Sequence, residues 1–200
     1  MADWDDDSPQ LRRNLAKVFG RVRDEALRRT PLTSEVARGW QVEVMYGLDP
    51  PEPNLVGAVR GETGLEDYNV EVGEAPGVWA SDVSSELAEF DRKLPLAVAE
   101  LDQLVSIGEV PDSDSLEAIL TLCAWAHSEW VRIHPFANGN GRTARLWVNS
   151  IAMRYGLPPF LRMRPRPGGG YARACSSAMR GNWLPTVALF RRLYVESLSI

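Results

Sequence analysis

Apolar residues recur at helical spacing from the start of the chain. Leu11, Leu15, Val18, Phe19, Val22 and Ala26 share one face of a helix that Ser8-Pro9 opens and Thr30-Pro31 stops. Thr33 or Ser34 caps a second helix carrying Val36, Trp40 and Val44, which ends at Gly47 before the proline cluster Pro50, Pro51 and Pro53. The period then changes. Asn54 to Arg60 and Tyr68 to Val72 read as two short β-prone runs joined through Gly61 and Gly64, a hairpin that must lie against helices because two strands alone are marginal.

From Ser81 the helical period returns with Val83, Leu87, Phe90 and Leu94, and Pro95 is expected to break or kink the run before Leu101, Leu104 and Val105. Asp112 to Asp114 cap the most regular helix, whose apolar face runs Leu116, Ile119, Leu120, Cys123, Ala124, His127, Trp130 and Val131; it is expected to be central and buried. Thr143 to Tyr155 forms the next helix, stopped by Gly156 and Pro158, and helices over Tyr171 to Arg180 and Leu184 to Leu198 complete the pattern. The fold class is therefore mainly α with one β-hairpin. Residues 1–50 are read as N-terminal helices packed on a core formed by residues 51–200, within one compact unit.

Composition narrows the function. The chain has 200 residues and a net charge of -5, so no global positive field draws it to nucleic acid or an anionic membrane. Cys123 and Cys175 lack the density of a disulfide framework or zinc site, which fits a reducing cytoplasm. The start Met1 to Asp7 is acidic where a signal peptide is basic then apolar, and no apolar run reaches membrane-spanning length.

Chemistry concentrates between His134 and Arg145. Asn138, Gly139, Asn140 and Gly141 enter a helix, where glycines let backbone N–H groups approach a ligand and the helix dipole favours an anion. Arg142 and Arg145, three apart on the first turn, can face the same anion, although a helix start disfavours cations; a polyanion completes such a site. His134, set between Pro135 and the preceding helix and anchored by Phe136, is placed as a general base. Base, amide cradle and arginines together point to phosphoryl or nucleotidyl transfer onto a hydroxyl. No G-x-x-x-x-G-K-[ST] string offers a P-loop explanation. His127, on an apolar helical face, reads as a core histidine that braces this segment. The basic run Arg162 to Gly170 reads as a flexible surface connection able to contribute to the rim of the site.

The string His134-Pro135-Phe136-Ala137-Asn138-Gly139-Asn140-Gly141-Arg142-Thr143-Ala144-Arg145 resembles the signature of the Fic family, H-P-F-x-[D/E]-G-N-G-R-x-x-R, at every specified position except Asn138. His127 and Ile133 ahead of it, Ala75-Pro76-Gly77, Tyr171 and Gly181-Asn182-Trp183 are also similar, so the likeness spans roughly residues 54 to 195. It implies a helical bundle with a β-hairpin flap, His134 as the base, and ATP as the substrate whose AMP passes to a target hydroxyl. It further implies an anion cradle of Gly139, Asn140 and Gly141, with the Asn140 side chain on the α-phosphate, and Arg142 and Arg145 on the β- and γ-phosphates. Tyr171 would lie near the adenine, and residues 55–72 would clamp the target protein.

The family's acidic residue at position 138 binds magnesium; Asn138 offers a neutral oxygen, which weakens capture of Mg2+ or Mn2+ and leaves open a nucleotide-binding module with little catalysis. Transfer of another phosphate-containing group on the same scaffold is a further alternative. Gly141 stands where the phosphorylating Doc branch has Lys. The family's inhibitory string [S/T]-x-x-x-E-[G/N] is missing: Ser85 with Glu89 and Ser113 with Glu117 have the spacing, but Phe90 and Ala118 follow. A separate small antitoxin-like partner is expected instead.

Overall fold

The computed structural model describes residues 2–4, 6–72 and 75–199; Met1 and Asp5 of the acidic start lie outside them. Seven α-helices dominate: α1 (Pro9–Leu27), α2 (Ser34–Met45), α3 (Ala80–Leu104), α4 (Ser113–Ile133), α5 (Asn140–Arg154), α6 (Tyr171–Met179) and α7 (Leu184–Ser197). Their starts are fixed by the expected caps. Ser8 accepts from the Leu11 N–H at 3.1 Å, Thr33 from Val36 at 3.4 Å, and Asp112 from Ser115 at 2.8 Å, each cap contributing about 1 kcal/mol.

Helix α5 is the spine. All its residues except Gly141 are buried, and α4, α1 and α2 pack around it. The sequence marked α4 as the central helix; α4 is indeed buried along one face, but α5 is enclosed more completely. The core is aromatic: Trp147 lies edge-on to Trp40 at 4.8 Å and to Trp130 at 5.6 Å, and Trp130 meets Phe136 at 5.8 Å. Trp130 Nε1 donates to Thr143 Oγ1 at 2.7 Å, so the same tryptophan that fills the core also ties α4 to α5.

Two expectations fail for physical reasons. Pro95 does not end α3, which runs through it from Ala80 to Leu104. The proline forfeits the bond to the Asp91 carbonyl, at about 3 kcal/mol. Burial of Phe90, Leu94, Val98 and Leu101 on both sides of it returns about 1.5–3 kcal/mol per side chain, and packing wins.

The run Asn54 to Arg60 is not a strand. Pro53–Leu55 is a 3-10 turn, Gly57 and Gly61 take φ of 78° and 88°, and a Cβ on Gly61 would lie 2.2 Å from the Ala80 carbonyl oxygen. The hairpin sits later, as β3 (Glu71–Val72) antiparallel to β4 (Ala75–Pro76), with Glu71 opposite Pro76. A second, unanticipated ribbon pairs β1 (Ala2–Asp3) in parallel with β2 (Leu48–Asp49). It brings the chain start to the N-terminal end of α5.

Candidate active site

Helix α4 ends where Pro135 disfavours further helix, and His134 adopts the left-handed conformation, φ 53° and ψ 56°. Its N–H still bonds the Trp130 carbonyl at 3.0 Å. The imidazole Nδ1 lies 3.1 Å from the Val131 carbonyl oxygen. A carbonyl only accepts, so Nδ1 carries the proton and Nε2 keeps its lone pair. Burial, with the Arg60 charge adding to it, pushes the His134 pKa down to about 4 although the Val131 bond opposes the shift. The ring is neutral near pH 7 and ready to accept a proton.

Arg60 holds this geometry. Only 1% exposed, it donates to four carbonyls: Nε to His134 at 2.7 Å, Nη2 to Ile133 at 2.9 Å and Val78 at 2.8 Å, and Nη1 to Tyr68 at 3.2 Å. Its own N–H bonds the Pro135 carbonyl at 2.8 Å. The guanidinium thereby caps the C-terminal carbonyls of α4, where a cation is favoured, and joins them to the segment behind the hairpin. Gly77 comes so close that a Cβ would stand 3.3 Å from Arg60 Nη2 and 3.4 Å from His134 Cβ.

The loop between α4 and α5 is closed by Asn140, whose Oδ1 accepts from the Phe136 N–H at 2.9 Å while Nδ2 donates to the Phe136 carbonyl at 2.7 Å. The Asn140 side chain thus braces the loop and faces Phe136 rather than the anion pocket. Gly139 caps α5 at φ 92°, with Met45 Cε only 2.8 Å from the place of a Cβ; no other residue fits there without strain. The N–H groups of Asn140 and Gly141, at the first helical positions, have no carbonyl one turn earlier to bond.

Beside those N–H groups lies a polar cavity of about 240 Å3 lined by Asn138, Gly139, Gly141, Arg142, Arg145, Arg164 and Arg166. Arg142 Nη2 donates to Asn138 Oδ1 at 2.7 Å and Nη1 to the Trp4 carbonyl at 2.9 Å. Arg145 Nη2 donates to the Met163 carbonyl at 3.1 Å. Arg164 and Arg166 arrive on the basic loop, which therefore belongs to the site and is not merely a surface connection. Sharing Asn138, Gly139, Gly141, Arg145 and Arg166 with this pocket is a cleft of about 720 Å3 that also reaches His134, Asn140 and Tyr171, with Val72 and Ala75 of the hairpin and Trp4 at its edge. That volume suits a small-molecule ligand.

His134, Asn138, Gly139, Asn140, Gly141, Arg142, Arg145 and Tyr171 each border one of these two connected spaces, whereas His127 and Phe136 border neither. Tyr171 has its hydroxyl committed to His127 Nε2 at 2.7 Å; both residues are buried, and burial pushes the His127 pKa down to about 3, with Arg145 adding to the shift. Sequence reasoning gave no role to Arg60 or Trp4. Arg60 sits in a run that reads as a strand, and only the buried carbonyls it finds across the fold disclose its part.

The donor set does not fit a protein-held divalent cation. Among the described residues no three His, Cys, Asp or Glu side chains gather, and the described lining of both cavities holds no carboxylate. Asn138 Oδ1 is neutral and already accepts from Arg142 and from the Gly139 N–H.

A helical bundle that sets a neutral histidine at one helix C-terminus against an arginine-lined pocket at the next helix N-terminus is built to attract an anion. The chain belongs to the Fic/DOC family, which it matches over residues 31–152. It is 35% identical over 100 residues to protein adenylyltransferase fic-1 of Caenorhabditis briggsae, covering 48% of this chain and 20% of that protein. It is 38% identical over 73 residues to protein adenylyltransferase Fic of Nematostella vectensis, covering 36% and 17%. The chain thus matches about a fifth of the length of these curated relatives. Its fold is similar to the crystal structure of a Fic-domain-containing signaling protein from Bacteroides thetaiotaomicron, with a TM-score of 0.66 at 18% identity over 95% of this chain and 69% of that one. No helix among the described residues is long and apolar enough to cross a membrane.

Proposed function

We propose that this protein transfers AMP from ATP to a hydroxyl side chain of a target protein. The observation that carries the reading is the neutral His134, its Nε2 lone pair on the same cleft as the Gly139–Gly141 cradle and Arg145. The relatives named protein adenylyltransferases support it. The target hydroxyl gives its proton to His134 Nε2 as its oxygen bonds to the α-phosphorus. The bond from that phosphorus to the β-phosphate oxygen breaks, and pyrophosphate leaves into the arginine pocket. Pre-positioned N–H donors and guanidinium groups lower the barrier by meeting charge where it develops. Adenine is assigned to the Tyr171 side of the cleft. The described lining offers no carboxylate to hold magnesium or manganese, so either ion would be held by the triphosphate itself.

The target is assigned to the β3–β4 pair, whose exposed β3 residues Glu71 and Val72 offer an edge for an extended segment. Control by a small antitoxin-like helical protein remains part of the reading; Glu89 pairs with Arg92 and Lys93, and Glu117 with Arg191. The free thiols Cys123 and Cys175 accord with a cytoplasmic setting.

Incubation with α-labelled ATP and a cell lysate is expected to label a protein band, and His134→Ala to abolish it. No label from either the parent or Asn138→Asp, with magnesium and with manganese, sinks the proposal. Asn138 favours one second reading, a nucleotide-binding module without transfer, for which calorimetry would show ATP binding and no turnover. A panel of labelled nucleotides and phosphocholine donors tests for another transferred group.

A further inference from the structure

Resting on the nucleotide reading, we propose that Arg164 and Arg166 join Arg142 and Arg145 to neutralise the triphosphate in place of a protein-held divalent cation, so that this site binds ATP without metal. Three observations converge on it.

The first is the missing ligand. Position 138 carries no charge, and its only side-chain oxygen accepts from the Arg142 guanidinium and the Gly139 N–H. A dication entering there would meet four guanidinium groups and no described carboxylate. Like charges repel strongly at close range in a partly enclosed pocket, so these groups disfavour a dication.

The second is the gain of cations from outside the helix. Arg142 and Arg145 come with α5, whereas Arg164 and Arg166 come from a loop some twenty residues on, yet all four line one cavity of about 240 Å3. Four guanidinium groups, with Asp7 near Arg164, face the roughly four negative charges of a triphosphate near neutral pH, and guanidinium forks bind phosphate oxygens in pairs. Arg166 and Arg145 border both cavities, which puts them at the junction between the His134 cleft and the inner pocket.

The third is that the loop is built into place. Asn149, fully buried, donates from Nδ2 to the Leu161 carbonyl at 2.7 Å and accepts the Leu161 N–H at 3.0 Å. Arg145 then fixes the Met163 carbonyl at 3.1 Å, one residue before Arg164. Two side chains of the rigid spine thus set where the loop arginines stand. Arg142 and Arg164 both have protein partners in the ligand-free fold, so the triphosphate takes over donors that are already ordered.

Isothermal calorimetry of the full chain with ATP, ADP and AMP, in EDTA and in magnesium, tests this directly. The parent is expected to bind ATP in EDTA within about threefold of its affinity in magnesium, while Arg164→Ala/Arg166→Ala weakens ATP in EDTA by about tenfold or more, as lost charge-assisted bonds require. AMP binding should be indifferent to both changes, and Arg164→Lys/Arg166→Lys should recover part of the ATP affinity. Circular dichroism confirms that the variants are folded. ATP binding by the parent only in magnesium, or unchanged ATP binding by the folded double alanine variant in EDTA, overturns the inference while leaving the nucleotide reading intact. No binding of any nucleotide in either condition overturns both.

Discussion

Arg60 Nε donates to the carbonyl oxygen of His134 at 2.7 Å, across 74 positions of the chain. One buried cation thereby sets the left-handed turn that aims the imidazole. Arg60→Met strips donors from four carbonyls, each buried orphan costing about 1–3 kcal/mol. Denaturant unfolding should show a large loss of stability. Arg60→Lys keeps the charge and some bonds, and in labelling assays it should lower kcat by about tenfold or more with little change in KM for ATP, as misplacement of a base does. Equal loss in both parameters would argue for a purely structural role.

The His134 pKa near 4 gives a pH signature. Arg60 lies behind the ring and its charge favours the neutral form, while Arg145, Arg166 and Arg180 line the same cleft. Transfer should stay level from pH 8 to about 5 and fall as pH drops through 4, where protonation removes the base. Stability follows the same direction. Unfolded histidines titrate at roughly 6.5, above the folded values of about 4 for His134 and about 3 for His127. Between those limits the unfolded chain binds more protons, so stability falls as pH falls through this window. A pH–rate profile centred near 6.5, with no acid loss of stability from these two sites in His127 and His134 variants compared with parent, would contradict the assignment.

Asn138→Asp restores a carboxylate beside Arg142. The expected result is a new metal response: magnesium should strengthen ATP binding by about tenfold in the variant and by much less in the parent. Calorimetry in matched buffers reads this difference, and identical magnesium dependence of the two proteins would count against the arginine-based neutralisation.

Gly139→Ala should destabilise the protein by about 1–3 kcal/mol, because a Cβ at φ 92° is strained and also meets Met45 Cε at 2.8 Å. Measured against a Met45→Ala reference, which carries its own core-cavity cost, Gly139→Ala should be cheaper by only the steric part. No cost of Gly139→Ala in that background, read from the unfolding midpoint, would show that the left-handed conformation is not the limiting factor.

What could be read in the sequence was whatever has a local period or a fixed spacing. Seven helices announced themselves by apolar spacing and stop signals, three of them also by a side-chain cap, and α5 began at Asn140 rather than Thr143 because Gly139, not a side-chain oxygen, caps it. The strands were misplaced: two-residue pairings such as Glu71 with Pro76 have no period to detect, whereas Val56 and Val59 are β-prone residues set between glycines that turn the chain. Pro95 looked like a break because the packing that outweighs it is contributed by other helices. At the site, His134 to Arg145 was legible because its parts are adjacent in sequence. The roles of Arg60, Trp4, Arg164 and Arg166 depend on contacts between distant segments, which spacing does not encode; the basic loop offered composition alone.

Helix α5 has its N-terminus in the anion pocket and nearly all its residues in the core. A ligand held by its first turn therefore couples to the cooperative unfolding of the whole bundle rather than to a local lid. At a hundredfold excess over Kd, bound nucleotide should raise the unfolding free energy by about 2.7 kcal/mol. Amide hydrogen exchange should then slow along α4 and α1 as well as around the phosphates, since those protons exchange through the same global opening.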